Sequence, residues 1–283
     1  MAGKFARSWE LMKASGRVLK QDKTLMLFPL LSGLCSLIVV ASFFIPVVVF
    51  FMHNEGHQLD QERLSPLHYV GLFAFYLVQY TVIFFFNTAL VSAALVRLRG
   101  GVPTVGGGIR AAMARFPAIL GYALIAATVG VFLRALQERL GFVGRLVAGL
   151  LGLGWTVATF LVVPVLASQN VGPVDALKRS VQLLRKTWGE NLIGNGGLGL
   201  VFGFISFGII IAGMALVFAT LATQSYVVFA IIGVLTFIAL LALSLIQAAL
   251  QGIYSAALYR FAEEGEAGAG FEPALLEGAF RSK

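Results

Sequence analysis

The fold of this chain is decided by residues 191–259, which read NLIGNGGLGLVFGFISFGIIIAGMALVFATLATQSYVVFAIIGVLTFIALLALSLIQAALQGIYSAALY. None of these 69 residues is Lys, Arg, Asp or Glu. Because an α-helix rises 1.5 Å per residue, one continuous helix would measure about 100 Å, roughly three times the thickness of a bilayer's hydrocarbon core. The stretch therefore predicts two membrane spans, and the polar triplet at 223–225, followed by Tyr226, predicts the turn between them.

Four further stretches lack these four charged residue types, and each is long enough to cross a bilayer. They are residues 24–54, 64–96, 116–133 and 146–174. The 283 residues are 59% hydrophobic and only 12% charged, whereas soluble domains are about one quarter charged. The sequence therefore predicts an all-α membrane protein with six transmembrane helices, at about residues 25–52, 67–96, 116–134, 146–169, 192–222 and 226–259.

The basic residues are distributed unevenly over the segments outside these spans. Seventeen of the 21 Lys and Arg residues fall in the N-terminal segment, the second and fourth connections and the tail. Because positively charged connections stay in the cytoplasm, both termini are predicted to be cytoplasmic. The chain then divides into a cytoplasmic amphipathic helix at 1–23, a transmembrane domain at 24–259 and a flexible cytoplasmic tail at 260–283. The net charge of +8 predicts contact with anionic lipid headgroups, not with nucleic acid.

Each odd-numbered span follows a short basic segment whose apolar residues recur at helical spacing. The apolar faces are predicted to hold Phe5, Trp9, Met12 and Leu19 in the first segment, Ile109, Met113 and Phe116 in the second, and Leu177, Val181, Leu184 and Trp188 in the third. Such helices lie in the headgroup plane, with apolar groups in the acyl chains and cations at the phosphates. The predicted membrane-surface contacts are Trp9, Arg17, Lys178, Arg179, Arg185 and Trp188.

These segments predict a pseudo-threefold repeat, in which one cytoplasmic interfacial amphipathic helix is followed by a hairpin of two transmembrane helices. Two roles remain open for the interfacial helices. They could be collars that only anchor the protein in the bilayer, or they could take part in gating or in docking a partner.

Two segments carry a resemblance to a known family. They are SWELMKASGRVLKQDKTLMLFPLLSG at 8–33 and GPVDALKRSVQLLRKTWGENL at 172–192. Both resemble an uncharacterised family of prokaryotic six-span integral membrane proteins, recorded as a domain of unknown function. The chain is more distantly similar to the membrane domain of some glycerophosphodiester phosphodiesterases. The resemblance implies the six-span fold and a multi-pass location in the prokaryotic cytoplasmic (inner) membrane, and it implies no reaction.

The three histidines, His53, His57 and His68, fall in or beside the first outer connection, close to several carboxylates. Histidine and carboxylate together can ligate zinc or another transition metal. However, Gly56 separates the first two histidines, where a helix would be needed to bring both imidazoles together. An ordinary solvated loop is favoured, so no metal or other cofactor is predicted, and the three histidines stay as the candidate ligands.

No ionisable residue falls near the middle of a predicted span, which argues against a proton-coupled transporter. The neutral polar residues there are Gln79, Asn87, Gln247 and Gln251. They could line a pathway, or they could form hydrogen bonds between helices. Pro46 and Pro164 fall inside the first and fourth spans, and each is predicted to bend its helix, either to shape packing or as a hinge.

No catalytic constellation is present in the sequence, so the protein is predicted not to be an enzyme. The first functional hypothesis is an oligomeric channel, a pore-like assembly or a membrane scaffold. The alternative is a transporter or exchanger of a lipid-like or apolar small molecule. Glycines such as Gly199 and Gly203, four residues apart, predict close helix contacts, either within the monomer or at the interface of a homo-oligomer.

Overall fold

The structure is a computed structural model that describes residues 4–53, 66–139, 141–187, 191–220, 226–266, 268 and 270–271. Within these residues the regular secondary structure is helical throughout. The α-helices are α1 (Lys4–Gln21), α2 (Leu27–His53), α3 (Pro66–Leu98), α4 (Val105–Ala114), α5 (Phe116–Arg139), α6 (Gly141–Ala158), α7 (Val162–Ser168), α8 (Pro173–Thr187), α9 (Asn191–Thr220) and α10 (Tyr226–Glu264). A short 3-10 turn, Lys23–Met26, joins α1 to α2.

Six segments among the described residues are long and apolar enough to cross a membrane. They are Lys23–Pro46, Val70–Leu98, Phe116–Gln137, Gly144–Ser168, Val201–Phe218 and Val227–Glu264. Their outer surfaces carry large apolar side chains, such as Phe204 with 71% of its surface exposed and Leu153 with 65%. A soluble protein would hide side chains of this kind, so this surface fits a hydrocarbon environment. The prediction of six spans is confirmed, although the turn expected at 223–225 lies outside the described residues.

The fourth span is not one helix. Helix α6 ends at Ala158, a turn occupies residues 159–161, and α7 begins at Val162. Pro164 is therefore the third residue of α7, where a backbone N–H would have no partner within the helix. The proline follows the interruption of the span and removes no bond inside a continuous helix. In the first span, by contrast, α2 runs through Pro46 without interruption.

The chain separates into two compact units. The first contains Met1–Met26, Ala94–Val102 and Thr187–Lys283. In this unit α1 packs against both α9 and α10, and those two helices pack against each other. Its buried side chains include Val18 of α1, Leu98 at the end of α3, and Tyr254 and Leu258 of α10. The N-terminal helix is thus held by the last pair of spans.

The second unit contains Leu27–Ala93 and Pro103–Lys186, and in it α5 packs against α6. A close contact joins α2, α3 and α4 at Gly108. A β-carbon placed there would lie 2.6 Å from Cζ of Phe28 and 2.8 Å from the carbonyl oxygen of Ala89. Only a residue without a side chain fits this crossing, because neither a buried ring nor a backbone carbonyl can move away easily.

Candidate functional site

The interruption of the fourth span is completed by a side chain from α8. The backbone N–H of Leu161 donates a hydrogen bond to Oγ of Ser180 over 3.1 Å, and the Ser180 hydroxyl donates to the carbonyl oxygen of Ala158 over 2.7 Å. Ser180 is completely buried. Backbone groups that leave a helix inside a membrane protein need such partners, because lipid offers none. One serine therefore supplies both the acceptor and the donor that the broken helix lacks.

Contacts within the second unit hold α8 beside this interruption. Pro173, the first residue of α8, lies so close to Gly121 of α5 that a β-carbon at residue 121 would be 2.8 Å from its Cγ. Proline suits the first position of a helix because no intrahelical N–H is needed there. Just before α8, the side chain of Asn170 accepts a hydrogen bond from the Arg115 guanidinium. The entry to α8 is thus fixed on α5 and on the turn that precedes α5.

A column of aromatic rings runs along α3 towards the same interruption. Tyr76 stacks on Tyr80, and Tyr80 stacks on Phe84, with ring centroids 5.9 and 5.7 Å apart. Phe84 contacts Tyr122 of α5, with ring centroids 4.5 Å apart, and Tyr122 lies beside Thr159 in the turn. Neutral rings and hydroxyl groups therefore lead to the broken span.

Helix α3 continues this column with buried hydroxyl groups. Thr88 is completely buried, and neither its Oγ1 nor Oγ of Ser92 has a hydrogen-bond partner among the described residues. Positions 80, 84, 88 and 92 recur every four residues and so follow one stripe of the helix. A buried oxygen without a partner costs about 1–3 kcal/mol, so this stripe favours contact with a polar molecule.

The four neutral residues predicted to line a pathway fall in different units. Gln79 and Asn87 lie on α3 in the second unit, and Gln247 and Gln251 lie on α10 in the first. Within the second unit, Oε1 of Gln79 is buried without a hydrogen-bond partner among the described residues. Gln251 is exposed, whereas Gln247 and Asn87 are half-buried. Gln247 and Gln251 lie four residues apart on α10 and so share one side of that helix.

Helices α1, α4 and α8 each bury one face against neighbouring helices. Helix α8 buries Ala176, Ser180, Leu183 and Leu184, whereas Leu177 and Val181 are half-exposed. The residues buried in α1 are Leu11, Ala14, Ser15, Val18 and Leu19, and those in α4 are Gly108 and Ala112. The faces that pack against protein thus hold several small residues, which allow a helix to approach its neighbours more closely. That the larger apolar side chains enter the acyl chains of the lipid stays a prediction.

Charged residues on these helices point outward to a large extent. Arg17 of α1 and both Lys178 and Arg185 of α8 are exposed, and Arg179 is half-buried. The ammonium group of Lys178 lies 3.6 Å from the Asp175 carboxylate, a surface pair of little energetic weight. Trp188 lies outside the described residues, and the side chain of Trp9 lies outside the described part of α1.

A buried arginine in the first unit was missed by the sequence analysis. The Arg260 guanidinium donates to Glu264 over 2.9 Å, to Glu266 over 2.6 Å and to the carbonyl oxygen of Leu98. Glu264 also accepts from Arg99. The Leu98 carbonyl is one of the last in α3, where intrahelical donors are missing, so a cation stabilises that helix end. This cluster fastens the end of α10 to the end of α3.

The chain after α10 turns back over the same unit. Residues 260–264 continue α10, and a β-carbon at Gly268 would lie 2.7 Å from Cδ2 of Leu98. Arg17 donates a hydrogen bond to the carbonyl oxygen of Gly270 over 3.3 Å, and Phe271 is buried. Residues 272–283, the remainder of the segment expected to be a flexible tail, lie outside the described residues.

The described residues include only two of the three candidate histidine ligands. His53 is the last residue of α2 and His68 lies in the first turn of α3, while His57 falls in the segment 54–65, outside the described residues. Among the described residues, no three His, Cys, Asp or Glu side chains are grouped closely enough to hold a metal ion. The assignment of this loop as ordinary solvated chain therefore stays a prediction.

Six apolar helices and a lipid-type surface define a multi-pass α-helical membrane protein. A family model, described as "Family of unknown function (DUF6159)", matches residues 67–271. The chain belongs to this family. The match begins within α3 and ends at the buried Phe271, so it includes the broken fourth span, α8 and the Arg260 cluster. No curated protein matches the chain.

Proposed function

We propose that the protein is a non-enzymatic membrane protein that assembles from identical copies into a channel or pore-like structure. The observation that carries the proposal is the exposed face of α9. Gly199 and Gly203 lie four residues apart on this face, and a β-carbon at either would meet nothing within 4 Å. Glycines at this spacing let a second helix approach closely in a membrane. No described residue of the same chain occupies that space.

The residues that follow on α9 support the same interface. Phe207 and Ile210 continue the line of the two glycines, and both are exposed, with 61% and 42% of their surfaces accessible. The groove at the two glycines, together with the bulky side chains of Phe207 and Ile210, can pack against the same face of another copy. Gly213 is different, because a β-carbon there would lie 2.6 Å from Oγ1 of Thr236 in α10. Gly213 therefore packs against α10 of the same chain, whereas Gly199 and Gly203 have no such neighbour among the described residues.

Gly199→Leu and Gly203→Leu test the interface. We expect either change to shift the mass of the protein in nanodiscs or mild detergent from oligomer towards monomer, because a leucine fills the groove. The control is Gly233→Leu on α10, an exposed glycine that also has nothing within 4 Å. Native mass spectrometry or light scattering measures the result. A wild-type monomer, or an oligomer that withstands both substitutions, contradicts the proposal.

A second candidate function is the transport or exchange of a lipid-like or apolar small molecule within each copy. The broken fourth span favours it, because interrupted helices in membrane proteins often line binding sites. The buried, unpartnered Oε1 of Gln79 supports a polar contact for the head of such a molecule. A monomer with lipid-shaped density beside α3, and loss of transport in Gln79→Leu with folding intact, would favour this candidate over the channel.

The proposed setting is the prokaryotic cytoplasmic membrane, with both termini in the cytoplasm. In this arrangement α1, α4 and α8 are interfacial amphipathic helices, each followed by a hairpin of spans in a pseudo-threefold repeat. Their buried positions support the repeat: Ser15, Ala112 and Ser180 occupy the same place in three aligned segments, and all are completely buried. The exposed cations of α1 and α8 are suited to anionic headgroups. The distant similarity to glycerophosphodiester phosphodiesterase membrane domains stays part of this proposal.

A further inference from the structure

The hydrogen bonds around the turn in the fourth span show which backbone groups the interruption leaves over. In a continuous α-helix, Leu161 N–H would donate to the Val157 carbonyl, and the Ala158 carbonyl would accept from Val162. Instead, Phe160 donates to the Val157 carbonyl over 3.1 Å, and Val162 donates to the carbonyl of Thr159 over 3.0 Å. Two of the groups that the interruption leaves over, the Leu161 N–H and the Ala158 carbonyl, bind Ser180.

The sequence of this turn permits a second arrangement. Residues 158–162 are Ala, Thr, Phe, Leu and Val, so neither glycine nor proline forces an interruption here. Pro164 removes only the N–H that would have reached the Phe160 carbonyl, and it does so in a broken or a continuous helix alike. Without Ser180, the Leu161 N–H can pair with the Val157 carbonyl, and the Val162 N–H can pair with the Ala158 carbonyl. The span therefore has two ways to satisfy the same atoms.

We propose that α8 is a brace that exchanges hydrogen bonds with the fourth span, and that its departure converts the broken span into a continuous, bent helix. In the braced state, Ser180 bridges Ala158 and Leu161. In the released state, these residues pair within the span and Ser180 turns to water or another partner. This inference rests on the proposed channel only for its consequence, which is that release of α8 would change the flux of ions or solutes.

The seating of α8 is suited to such a movement. Gly172, immediately before the helix, has nothing within 4 Å of a β-carbon and is exposed, so α8 can tilt about its start while Pro173 keeps its contact with Gly121. The outer side of α8 is polar, with Asp175, Lys178, Gln182 and Arg185 exposed. That side is available to lipid headgroups or to a cytoplasmic partner. The inner side buries Ala176 and Ser180 in the first half of the helix and Leu183 and Leu184 in the second half.

Ser15 provides a matched comparison. It holds in α1 the place that Ser180 holds in α8, and both serines are completely buried. Oγ of Ser15, however, has no hydrogen-bond partner among the described residues. Loss of the Ser15 hydroxyl removes no bond, whereas loss of the Ser180 hydroxyl removes two. The pair therefore separates the effect of the bridge from the effect of removing any buried serine.

The position of the brace can be measured by spin–spin distances in nanodiscs. Labels at Leu151→Cys on α6 and Gln182→Cys on α8, both exposed sites, report it in a Cys35→Ala background. Ser180→Ala should raise a second distance population by roughly tenfold, because two hydrogen bonds that favour the braced state are lost. Ser180→Thr, which keeps the hydroxyl, and Ser15→Ala should leave the wild-type distribution. If Ser180→Ala shows a single distance population, equal to that of the wild type, the proposal is overturned.

Alkylation gives a second readout that does not depend on the alanine variant folding. In the same background, Ser180→Cys and Ser15→Cys each place one thiol at a completely buried position. A mobile α8 exposes the thiol at residue 180 intermittently, so it should react with a small maleimide roughly tenfold faster than the thiol at residue 15. Equal, slow reaction of both thiols contradicts a moving brace. If α8 moves but ion or solute flux does not respond, the brace stands and the channel proposal fails.

Discussion

At the scale of single residues, the clearest determinants of this fold are positions where a side chain is absent. The run Gly106, Gly107 and Gly108 opens α4, and the three positions are not equivalent. A β-carbon at residue 106 would meet nothing within 4 Å, whereas one at residue 108 would collide with a ring of α2 and with the backbone of α3. Sequence alone shows three adjacent glycines and gives no reason to distinguish them.

We therefore expect Gly108→Ala to lower the stability of the purified protein by about 2 kcal/mol, the usual effect of overpacking a tight contact. Gly106→Ala is the matched control in the same turn, and it should leave stability unchanged or raise it, because alanine favours the helix more than glycine does. Unfolding in detergent by heat or denaturant measures both variants. Equal behaviour of the two would mean that α2, α3 and α4 do not meet at Gly108.

At the scale of elements, the end of α10 shows how a charged side chain of one helix stabilises the end of another helix. The uncharged stretch ends at Tyr259, but the helix continues to Glu264 and turns Arg260 towards the final carbonyl groups of α3. A buried guanidinium is stabilised there because two carboxylates and a carbonyl accept its hydrogen bonds. The charged segment after the last span is thus a structured connection in its described part.

Arg260→Met should lower the stability by about 2 kcal/mol, since it leaves the Leu98 carbonyl without that donor and removes charged hydrogen bonds from Glu264 and Glu266. Lys20→Met, at an exposed position of α1 in the same unit, is the control and should have little effect. Thermal unfolding measures the difference. Should the two variants melt alike, the Arg260 cluster would not hold α10 to the end of α3.

At the scale of the whole molecule, six apolar helices fix the number of crossings, while the distribution of cations predicts their direction. An even number of spans places both ends of the chain on one side of the membrane. In the proposed arrangement, that side also carries α1, α4 and α8.

Cysteine labelling in intact cells tests this direction, with Cys35 replaced by alanine. A membrane-impermeant maleimide should modify Gln58→Cys, in the first outer connection, without permeabilisation. Lys178→Cys, where the native side chain is 68% exposed, should react only after the membrane is opened. Modification of residue 178 from outside in intact cells would reverse the topology and would place α8 on the outer face.

The sequence by itself determined the number and approximate positions of the spans, because crossing a bilayer requires length and hydrophobicity, and both are local properties of the chain. It also indicated the basic segments before the odd-numbered spans. It did not indicate which face of those segments would be buried. That choice follows from how closely a neighbouring helix can approach, and in α8 the buried Ala176 and Ser180 are smaller than the half-exposed Leu177 and Val181.

Only the tertiary structure decided where the fourth span breaks and how the broken backbone is satisfied. Pro164 indicated a bend in the fourth span, but the helix is interrupted before Pro164, at residues that are individually compatible with a helix. A serine 19 residues beyond Leu161 supplies the missing bonds. Likewise, the sequence does not distinguish Arg260 from the other basic residues, and only the fold places its guanidinium beside the Leu98 carbonyl of α3. Such sites form where segments that are distant in the chain come into contact. A hydropathy pattern describes neighbouring residues, so it does not predict a hydrogen bond between residues that are far apart in the chain.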